Sequence, residues 1–250
     1  MNVRKEIIRR CFDKAHASYD RNALAQQQIQ QRLAALLCRT GKRRFGRILE
    51  VGSGTGGYTA LLADYCRAEE WILNDLCDNG IANYAMLSGQ TVHFMSGDAE
   101  RLDFPGEFDL VTSASAVQWF EDPAGFVSRV CSQLLSGGVL LFNTFGKNNL
   151  REIKSLTGKG LDYPSVEEVG SWIPTGFEIR ELSEEEITLR FDNPLGVLRH
   201  LKSTGVTATG SEGWTRTRLQ QFSEAYVQQY SGDGSVSLTF HPVYVLAVKK

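Results

Sequence analysis

The sequence lacks several features that mark membrane, secreted or nucleic-acid-binding proteins. None of its apolar runs approaches the ~20 residues of a transmembrane helix. The N-terminal residues never form the unbroken apolar stretch of a signal peptide. A formal net charge of −2 over 250 residues provides no field that would attract nucleic acid. These absences predict a cytoplasmic protein that binds neither membranes nor nucleic acid.

Cysteine and proline are also scarce. The five cysteines are scattered and never spaced as Cys-x-x-Cys, so neither a disulfide framework nor a zinc site is expected. We therefore expect free thiols and no bound metal. The chain has only six prolines and no Pro- or Ser-rich linker, so its 250 residues are expected to form a single domain, 1–250, around one core.

Helical and strand patterns alternate along most of the chain. Residues 3–38 have helical spacing and predict two helices with a break near residues 18–22. Five short apolar runs follow, separated by helical segments, which is typical of βαβ units in a parallel sheet with helices on both faces. These runs are 47–51, 71–74, 92–95, 110–113 and 139–145.

The last hundred residues contain other signals. Ser165 and Glu168 match the S-x-x-E capping box and predict a short helix that ends near residue 172. Two extended segments, 177–191 and 236–248, are expected to be late strands. Helical segments at 194–204 and 215–230 lie between them.

The most informative segment is the glycine-rich sequence ILEVGSGTGGY, in which an apolar run leads into a turn. Such a turn is typical of sites that hold a phosphate or a nucleoside cofactor. Gly52, Gly54 and Gly57 fit the G-x-G-x-x-G pattern of dinucleotide binders. Glu50 with Gly52, Gly54 and Gly56 equally fits the acidic-x-G-x-G-x-G pattern of S-adenosylmethionine (SAM) methyltransferases. The loop alone leaves both cofactors open.

Acidic residues near the next strand ends favour SAM. Asp75 lies 23 residues after Gly52, where a carboxylate can accept both ribose hydroxyls of an adenosine in either cofactor. In the sequence GDAE, Asp98 can accept a hydrogen bond from an adenine amino group, and NAD binders have no standard counterpart there. Glu50, just before the turn, would repel a pyrophosphate.

In this order and spacing, ILEVGSGTG, Asp75, GDAE and FDLVTSASAVQW resemble class I SAM-dependent methyltransferases. The resemblance implies an α/β, Rossmann-like fold: a seven-stranded, mostly parallel sheet with helices on both faces, an antiparallel last strand and a helical insert between the last two strands. It implies an N-terminal helical lid (1–45), a SAM-binding core (46–150) and a segment of substrate-side helices and closing strands (151–250). Contacts to SAM are expected from Glu50, Gly52, Ser53, Gly54, Gly56, Asp75, Leu76, Asp98, Ala99 and Ser113.

The flanking segments narrow the resemblance. FDKAHASYD near the N-terminus, RHLKSTG in the insert and LTFHPVY near the end together resemble malonyl-[acyl-carrier protein] O-methyltransferases of biotin synthesis. That resemblance implies methyl transfer from SAM to the free carboxylate of a malonyl thioester on acyl-carrier protein, with malonyl-CoA open as the alternative substrate. An acidic carrier is expected to meet a basic patch, to which Arg9, Arg10, Lys42, Arg43 or Arg44 could contribute.

Candidate substrate contacts follow from the chemistry of a carboxylate. It is ionised at neutral pH and needs no general base, but a buried unpaired carboxylate is unfavourable. Arg199 is expected to receive it through two parallel bonds, with Lys202 on the same helix face and His200 about 100° away. Tyr19 is expected to close over the site and donate its hydroxyl. Trp119 and Phe145 follow strands as pocket walls or core aromatics.

Other functions stay open at this point. A trans-aconitate-type carboxyl methyltransferase would share the cofactor loop but would need more cations for its substrate. A ubiquinone-type C-methyltransferase would need a base, and the insert offers no convincing one. An NAD-dependent oxidoreductase is disfavoured by the GDAE sequence and by the lack of a Tyr-x-x-x-Lys pair. A SAM-binding partner without catalytic activity is the remaining possibility.

Overall fold

The computed structural model describes residues 3–78, 84–206 and 214–250. In these ranges the helices are α1 (Val3–Asn22), α2 (Leu24–Arg39), α3 (Gly57–Tyr65), α4 (Pro123–Ser132), α5 (Arg151–Thr157), α6 (Val166–Ser171), α7 (Pro194–Ser203) and α8 (Arg216–Tyr230). The strands are β1 (Arg44–Val51), β2 (Arg67–Asp75), β3 (Thr91–Ser96), β4 (Phe108–Ser113), β5 (Leu134–Phe145), β6 (Phe177–Glu184), β7 (Ile187–Phe191), β8 (Ser231–Gly232), β9 (Ser235–Phe240) and β10 (Pro242–Lys249). Among these helices, none is both long enough and apolar enough to cross a membrane.

The main sheet has seven strands in the order β3-β2-β1-β4-β5-β10-β6. Neighbours from β3 to β5 are parallel, whereas β10 is antiparallel to both β5 and β6. The predicted fold, with its antiparallel last strand, is confirmed. The chain order reverses between β1 and β4, and α/β sheets bind ligands at such a switch point, outside the carboxyl ends of the strands.

Apolar side chains on both faces of the sheet explain why helices cover it twice. In β1, Ile48 packs in the cluster that includes Ile29 and Leu33 of α2, whereas Leu49 packs in the cluster that includes Val127 of α4. Successive strand residues point to opposite faces, so a strand with apolar residues throughout needs a cover on each side. The core therefore has two layers that meet at the sheet.

Each of the two late extended segments is divided between two sheets, where the sequence pattern predicted one strand. β6 and β10 join the main sheet, whereas β7, β9 and β8 form a three-stranded antiparallel sheet. At the break between β9 and β10, the His241 carbonyl accepts from Gly146 N at 2.7 Å, outside the strand ladder. The pattern of apolar residues continues through this change of partner, so periodicity alone does not reveal it.

The N-terminal helices continue further than the sequence pattern predicted. α1 runs through residues 18–22, and only Ala23 (φ −79°, ψ 47°) separates it from α2. Ser18 Oγ donates to the carbonyls of Ala15 and Ser203, which satisfies this polar residue inside the helix and ties α1 to the end of α7. The other predicted helices, at 166–172, 194–204 and 215–230, are confirmed within a residue or two, including the capping box.

Candidate active site

The glycine turn connects β1 to α3 at the switch point of the sheet. Gly52, Gly54 and Gly56 all have positive φ angles (74°, 53° and 85°), whereas Gly57 is the first residue of α3. The alternate glycines of the acidic-x-G-x-G-x-G pattern are therefore the ones with left-handed backbone. A Cβ atom on Gly52 would lie 2.4 Å from Cβ of Ala116, so this position also lacks space for a side chain.

Asp75 ends β2 beside this turn. Its carboxylate accepts from Gly54 N and Cys77 N, both at 2.8 Å. Burial raises the pKa of Asp75 above its ordinary value, while the two backbone hydrogen bonds oppose that shift. Each carboxylate oxygen can accept a second hydrogen bond, so Asp75 can hold the turn and still receive two ribose hydroxyls.

Glu50 lies beneath the turn. It is 1% exposed, and Thr59 Oγ1 donates to its Oε2 at 2.8 Å, whereas Oε1 is buried without a partner among the described residues. Burial raises the pKa of Glu50 from 4.5 to about 8. In the ligand-free protein this carboxyl group is therefore mostly protonated at neutral pH.

This pKa makes the stability of the ligand-free protein depend on pH. Between about pH 4.5 and 8 the folded protein holds a proton that the unfolded chain has released, so the free energy of unfolding falls as the pH rises through this range. Glu50→Gln should remove that dependence and stabilise the chain above pH 8, by up to about 5 kcal/mol at ~1.4 kcal/mol per pKa unit. Thermal unfolding of both proteins at pH 5, 7 and 8.5 measures the difference.

Glu152 provides a matched control because it is also 1% exposed. Its carboxylate accepts from Thr239 N at 3.1 Å and Thr239 Oγ1 at 2.7 Å. Glu152→Gln cannot accept all of these bonds with the same geometry, so it should lower stability across the pH range. Parallel pH profiles for the Glu50→Gln variant and the parent chain would contradict the prediction for Glu50.

The N-terminal helix α1 contacts the cleft through two polar links that the sequence did not reveal. Lys5 of α1 is 3% exposed, and its Nζ lies 3.1 Å from Asp98 Oδ1 and 2.7 Å from Glu100 Oε2. Near the other end of α1, Asp20 Oδ1 accepts from Thr55 Oγ1 at 2.6 Å. These links join α1 to both the GDAE turn and the glycine turn.

Together these elements enclose a cleft of about 1060 Å³, counting space that is open to solvent. This volume is at the upper end of the range for small-molecule sites. The cleft is lined by eight residues that the sequence predicted: Tyr19, Gly52, Ser53, Gly54, Asp75, Leu76, Asp98 and Ala99. Their contacts with SAM stay a prediction.

Three predicted cofactor residues do not line the cleft: Glu50, Gly56 and Ser113. Ser113 is 3% exposed, and its hydroxyl donates to the Val51 carbonyl at 2.8 Å. It therefore joins the ends of β1 and β4 instead of facing the cleft. Conversely, α1 supplies His16 to the cleft, and its buried Nε2 has no hydrogen-bond partner among the described residues. In the sequence, the one signal that linked His16 to the site was its position within the FDKAHASYD segment.

A smaller pocket of about 370 Å³, again counting space that is open to solvent, adjoins the cleft, and we call it the inner pocket. It is lined by Phe12, Tyr19, Gln26, Ser115, Gln118, Trp119, Phe145, Asn149, Leu150, Tyr163, Thr204, Val206 and Phe240. Four of these residues also line the cleft: Phe12, Tyr19, Ser115 and Trp119. Ser115 has a φ of 55°, and its N–H donates to Asn143 Oδ1 at 2.8 Å. Positive φ is uncommon for a non-glycine residue, and here it lies where the two cavities meet.

A third cavity, which we call the outer groove, adjoins the inner pocket. It shares Trp119, Asn149, Leu150, Tyr163 and Val206 with that pocket. Its remaining lining residues are Ile153, Lys154, Thr157, Lys159, Gly160, Leu161, Leu198, Leu201, Trp214 and Arg218. The cleft, the inner pocket and the outer groove are thus successive neighbours.

The structure does not bring the predicted substrate cations into these cavities. Leu198 and Leu201 of α7 line the outer groove, whereas Arg199 and Lys202 are exposed and line none of the three cavities. Residues three apart share a helix face, so turning Leu198 and Leu201 inward turns Arg199 and Lys202 outward. His200 is buried against the rings of Phe191 and Phe240, and burial lowers its pKa.

Comparisons with known proteins agree with this geometry. Residues 49–142 match the model of a family described as a methyltransferase domain. The chain is 44% identical to the malonyl-[acyl-carrier protein] O-methyltransferase of Porphyromonas gingivalis, over 98% of this chain and 96% of that protein. It is 40% identical to the enzyme of the same name from Haemophilus influenzae, over 98% and 95% of the two chains.

A solved methyltransferase structure has a similar fold. The 1,6-didemethyltoxoflavin-N1-methyltransferase of Burkholderia thailandensis, crystallised with S-adenosylhomocysteine, superposes with a TM-score of 0.59. The match covers 98% of this chain and 88% of that one, at 14% sequence identity. At this identity the likeness concerns the fold alone.

Proposed function

The chain belongs to the family of malonyl-[acyl-carrier protein] O-methyltransferases, and we propose that it methylates the free carboxylate of a malonyl thioester on acyl-carrier protein. The methyl donor is SAM, and the product is the malonyl methyl ester that enters biotin synthesis. The proposal is supported by three cavities that adjoin one another, from the SAM cleft through the inner pocket to the outer groove.

The residues of the cleft fit SAM. The Asp75 carboxylate suits the ribose hydroxyls. Gly52 lies so close to Ala116 that a side chain would not fit there, and its absence leaves the backbone of the turn open to the cofactor. Glu50 beneath the turn would suit the positive charge of the cofactor and oppose a pyrophosphate once ionised, and a nearby cation favours that ionised form. When bound, SAM supplies an electrophilic methyl group on a sulfonium ion.

The protein's part in the reaction is to position the acceptor and exclude water. A malonyl carboxylate is already ionised at neutral pH, so no side chain has to remove a proton. Tyr19, from the lid, lies at the border of the cleft and the inner pocket, where methyl donor and acceptor would meet. Aligning the two groups and removing water from the carboxylate account for the acceleration.

The outer groove suits the arm that carries the malonyl group. Leucine and isoleucine side chains line it, and its three charged lining residues, Lys154, Lys159 and Arg218, are all cationic, although Lys154 also pairs with Asp162 at 2.9 Å. An acidic carrier would be attracted to this charge. Among the basic residues considered from the sequence, Lys42 to Arg44 fit less well, because they lie at the opposite ends of the strands from the cleft.

Reversing the charge of the outer groove should separate carrier binding from chemistry. In Lys159→Glu/Arg218→Glu, we expect the KM for malonyl-carrier protein to rise about 10-fold or more, because charge complementarity to the carrier is lost. The rate with malonyl-pantetheine, which has no carrier protein, should change less than about 3-fold. Arg44→Glu is the matched control, because Arg44 lies at the amino end of β1, opposite the cleft, and the change should leave both values unchanged.

The proposed function is tested directly by incubating the protein with SAM and malonyl-carrier protein and measuring the methyl ester by mass spectrometry. Restoration of growth without biotin in a cell that lacks this methyltransferase is the parallel test. A protein that methylates trans-aconitate, but not malonyl-carrier protein, would refute the assignment. The inner pocket disfavours that result, because no Lys or Arg is among its lining residues for a tricarboxylate.

A further inference from the structure

Three polar side chains of the inner pocket each have a buried atom without a hydrogen-bond partner among the described residues: Trp119 Nε1, Gln26 Oε1 and Gln118 Oε1. Trp119 is 9% exposed and Gln26 is 4% exposed. Leaving such groups unsatisfied is unfavourable, so three of them in one small pocket point to a polar ligand that binds there.

The other polar groups of the pocket indicate the charge of that ligand. Burial raises the pKa of Tyr163 to about 12, and burial near Asp20 and Asp75 raises the pKa of Tyr19 further. Both phenols therefore keep their protons and can donate. Gln118 donates its Nε2 to the Ser115 carbonyl at 2.6 Å, which leaves its Oε1 as an acceptor. The lining residues thus include neutral donors and acceptors and no Lys or Arg, so a carboxylate bound there would be held by neutral groups.

We propose that the Trp119 indole N–H and the Gln26 amide bind the substrate carboxylate that receives the methyl group. This assignment rests on the proposed function and deepens it. The indole nitrogen can only donate, and a half-turn of the Gln26 amide presents its NH₂ group where Oε1 now lies. The two groups come from α2 and from the turn after β4, so a carboxylate between them lies beside Tyr19 at the edge of the cleft.

Neutral donors suit this reaction better than a guanidinium. A carboxylate oxygen forms a bond to the methyl carbon while the carbon–sulfur bond breaks, and its electron pair stays on sulfur. An anion and a cation thereby become a neutral ester and a neutral thioether, and no proton moves. A fixed positive charge beside the carboxylate would stabilise the reactants more than the transition state. Hydrogen bonds from neutral groups orient the oxygen, and their interaction energy falls less than that of an ion pair as the charge on the oxygen disappears.

The test compares Trp119→Phe, which keeps the ring and removes the N–H, with Gln26→Met, which keeps the length and removes the amide. Each should lower kcat/KM for malonyl-carrier protein about 10- to 100-fold, the effect of losing a hydrogen bond to a charged group. Affinity for S-adenosylhomocysteine, measured by calorimetry, should stay within about 2-fold, which also confirms folding. Arg199→Ala is the control and should keep the parent rate.

A binding measurement isolates the carboxylate. Propionyl-pantetheine lacks the carboxylate of malonyl-pantetheine, so both substitutions should weaken the malonyl ligand and leave the propionyl ligand unchanged. Equal weakening of both ligands, or parent rates in both variants, would overturn the assignment. If Trp119→Phe disturbs cofactor binding and Gln26→Met does not, the result for Gln26→Met decides whether the assignment holds, because Gln26 does not line the cleft. Failure of the parent protein to methylate malonyl-carrier protein would instead refute the proposed function.

Discussion

Replacing Gly52 by alanine is expected to abolish measurable binding of S-adenosylhomocysteine, with a loss of at least ~100-fold in affinity. The added Cβ would lie 2.4 Å from Cβ of Ala116, so the turn or the strand end must move. The φ of 74° adds a penalty of about 1–2 kcal/mol for any L-residue. Because the turn lines the cleft, the displacement acts directly on the cofactor site. Calorimetry with S-adenosylhomocysteine measures the loss.

Gly137 is the matched control for this substitution. Its φ of 73° is nearly the same, but a Cβ atom there would meet nothing within 4 Å, and the residue does not line the cleft. Gly137→Ala should therefore lower stability by about 1 kcal/mol and leave cofactor affinity unchanged. Similar affinity losses in both variants would mean that backbone strain, and not the contact with Ala116, determines the effect.

The second large effect is expected at Asp75. In Asp75→Asn, one oxygen is replaced by an NH₂ group, which cannot accept from Gly54 N, Cys77 N or a ribose hydroxyl. Losing charge-assisted hydrogen bonds of about 1.5–3 kcal/mol each should lower the affinity for SAM about 100-fold. Equilibrium binding of SAM and of S-adenosylhomocysteine should show the same loss, since both contain the ribose.

Asp109 of β4 separates loop support from ribose binding. Its carboxylate also accepts from two backbone groups, Gly46 N at 2.8 Å and Arg47 N at 3.0 Å, but at the opposite edge of the sheet. Asp109→Asn should lower thermal stability and preserve cofactor affinity. If Asp75→Asn were equally harmless to binding, the ribose would have to be held by another group.

Charge determines how the site differs from the one that the sequence predicted. The chemistry of a buried carboxylate favoured a pairing cation, and Arg199 was the nearest candidate in the insert. The structure instead turns Arg199 to solvent and surrounds the inner pocket with neutral donors. In the binding mode that we propose, the cation that balances the substrate is the sulfonium itself, so a pocket without Lys or Arg can accept an anion.

Sequence patterns are sufficient to predict the fold and most of the residues expected to contact SAM that line the cleft. Gly52, Asp75 and Asp98 each lie at or just after the end of a strand, and parallel strands bring their carboxyl ends to one edge of the sheet. Local pattern and chain order are therefore sufficient to assemble them. The capping box at Ser165 was equally readable, because its two partners are three residues apart.

The surroundings of that cleft depend on contacts between segments that are far apart in the sequence. Lys5 meets Asp98 across 93 positions of sequence, and Gln26, Trp119 and Tyr163 reach the inner pocket from three separate segments. Helical spacing put Arg199 and Lys202 on one face, but only packing determined that this face points to solvent. Contacts between distant segments depend on how helices lie on the sheet, and no local pattern in the chain encodes that arrangement.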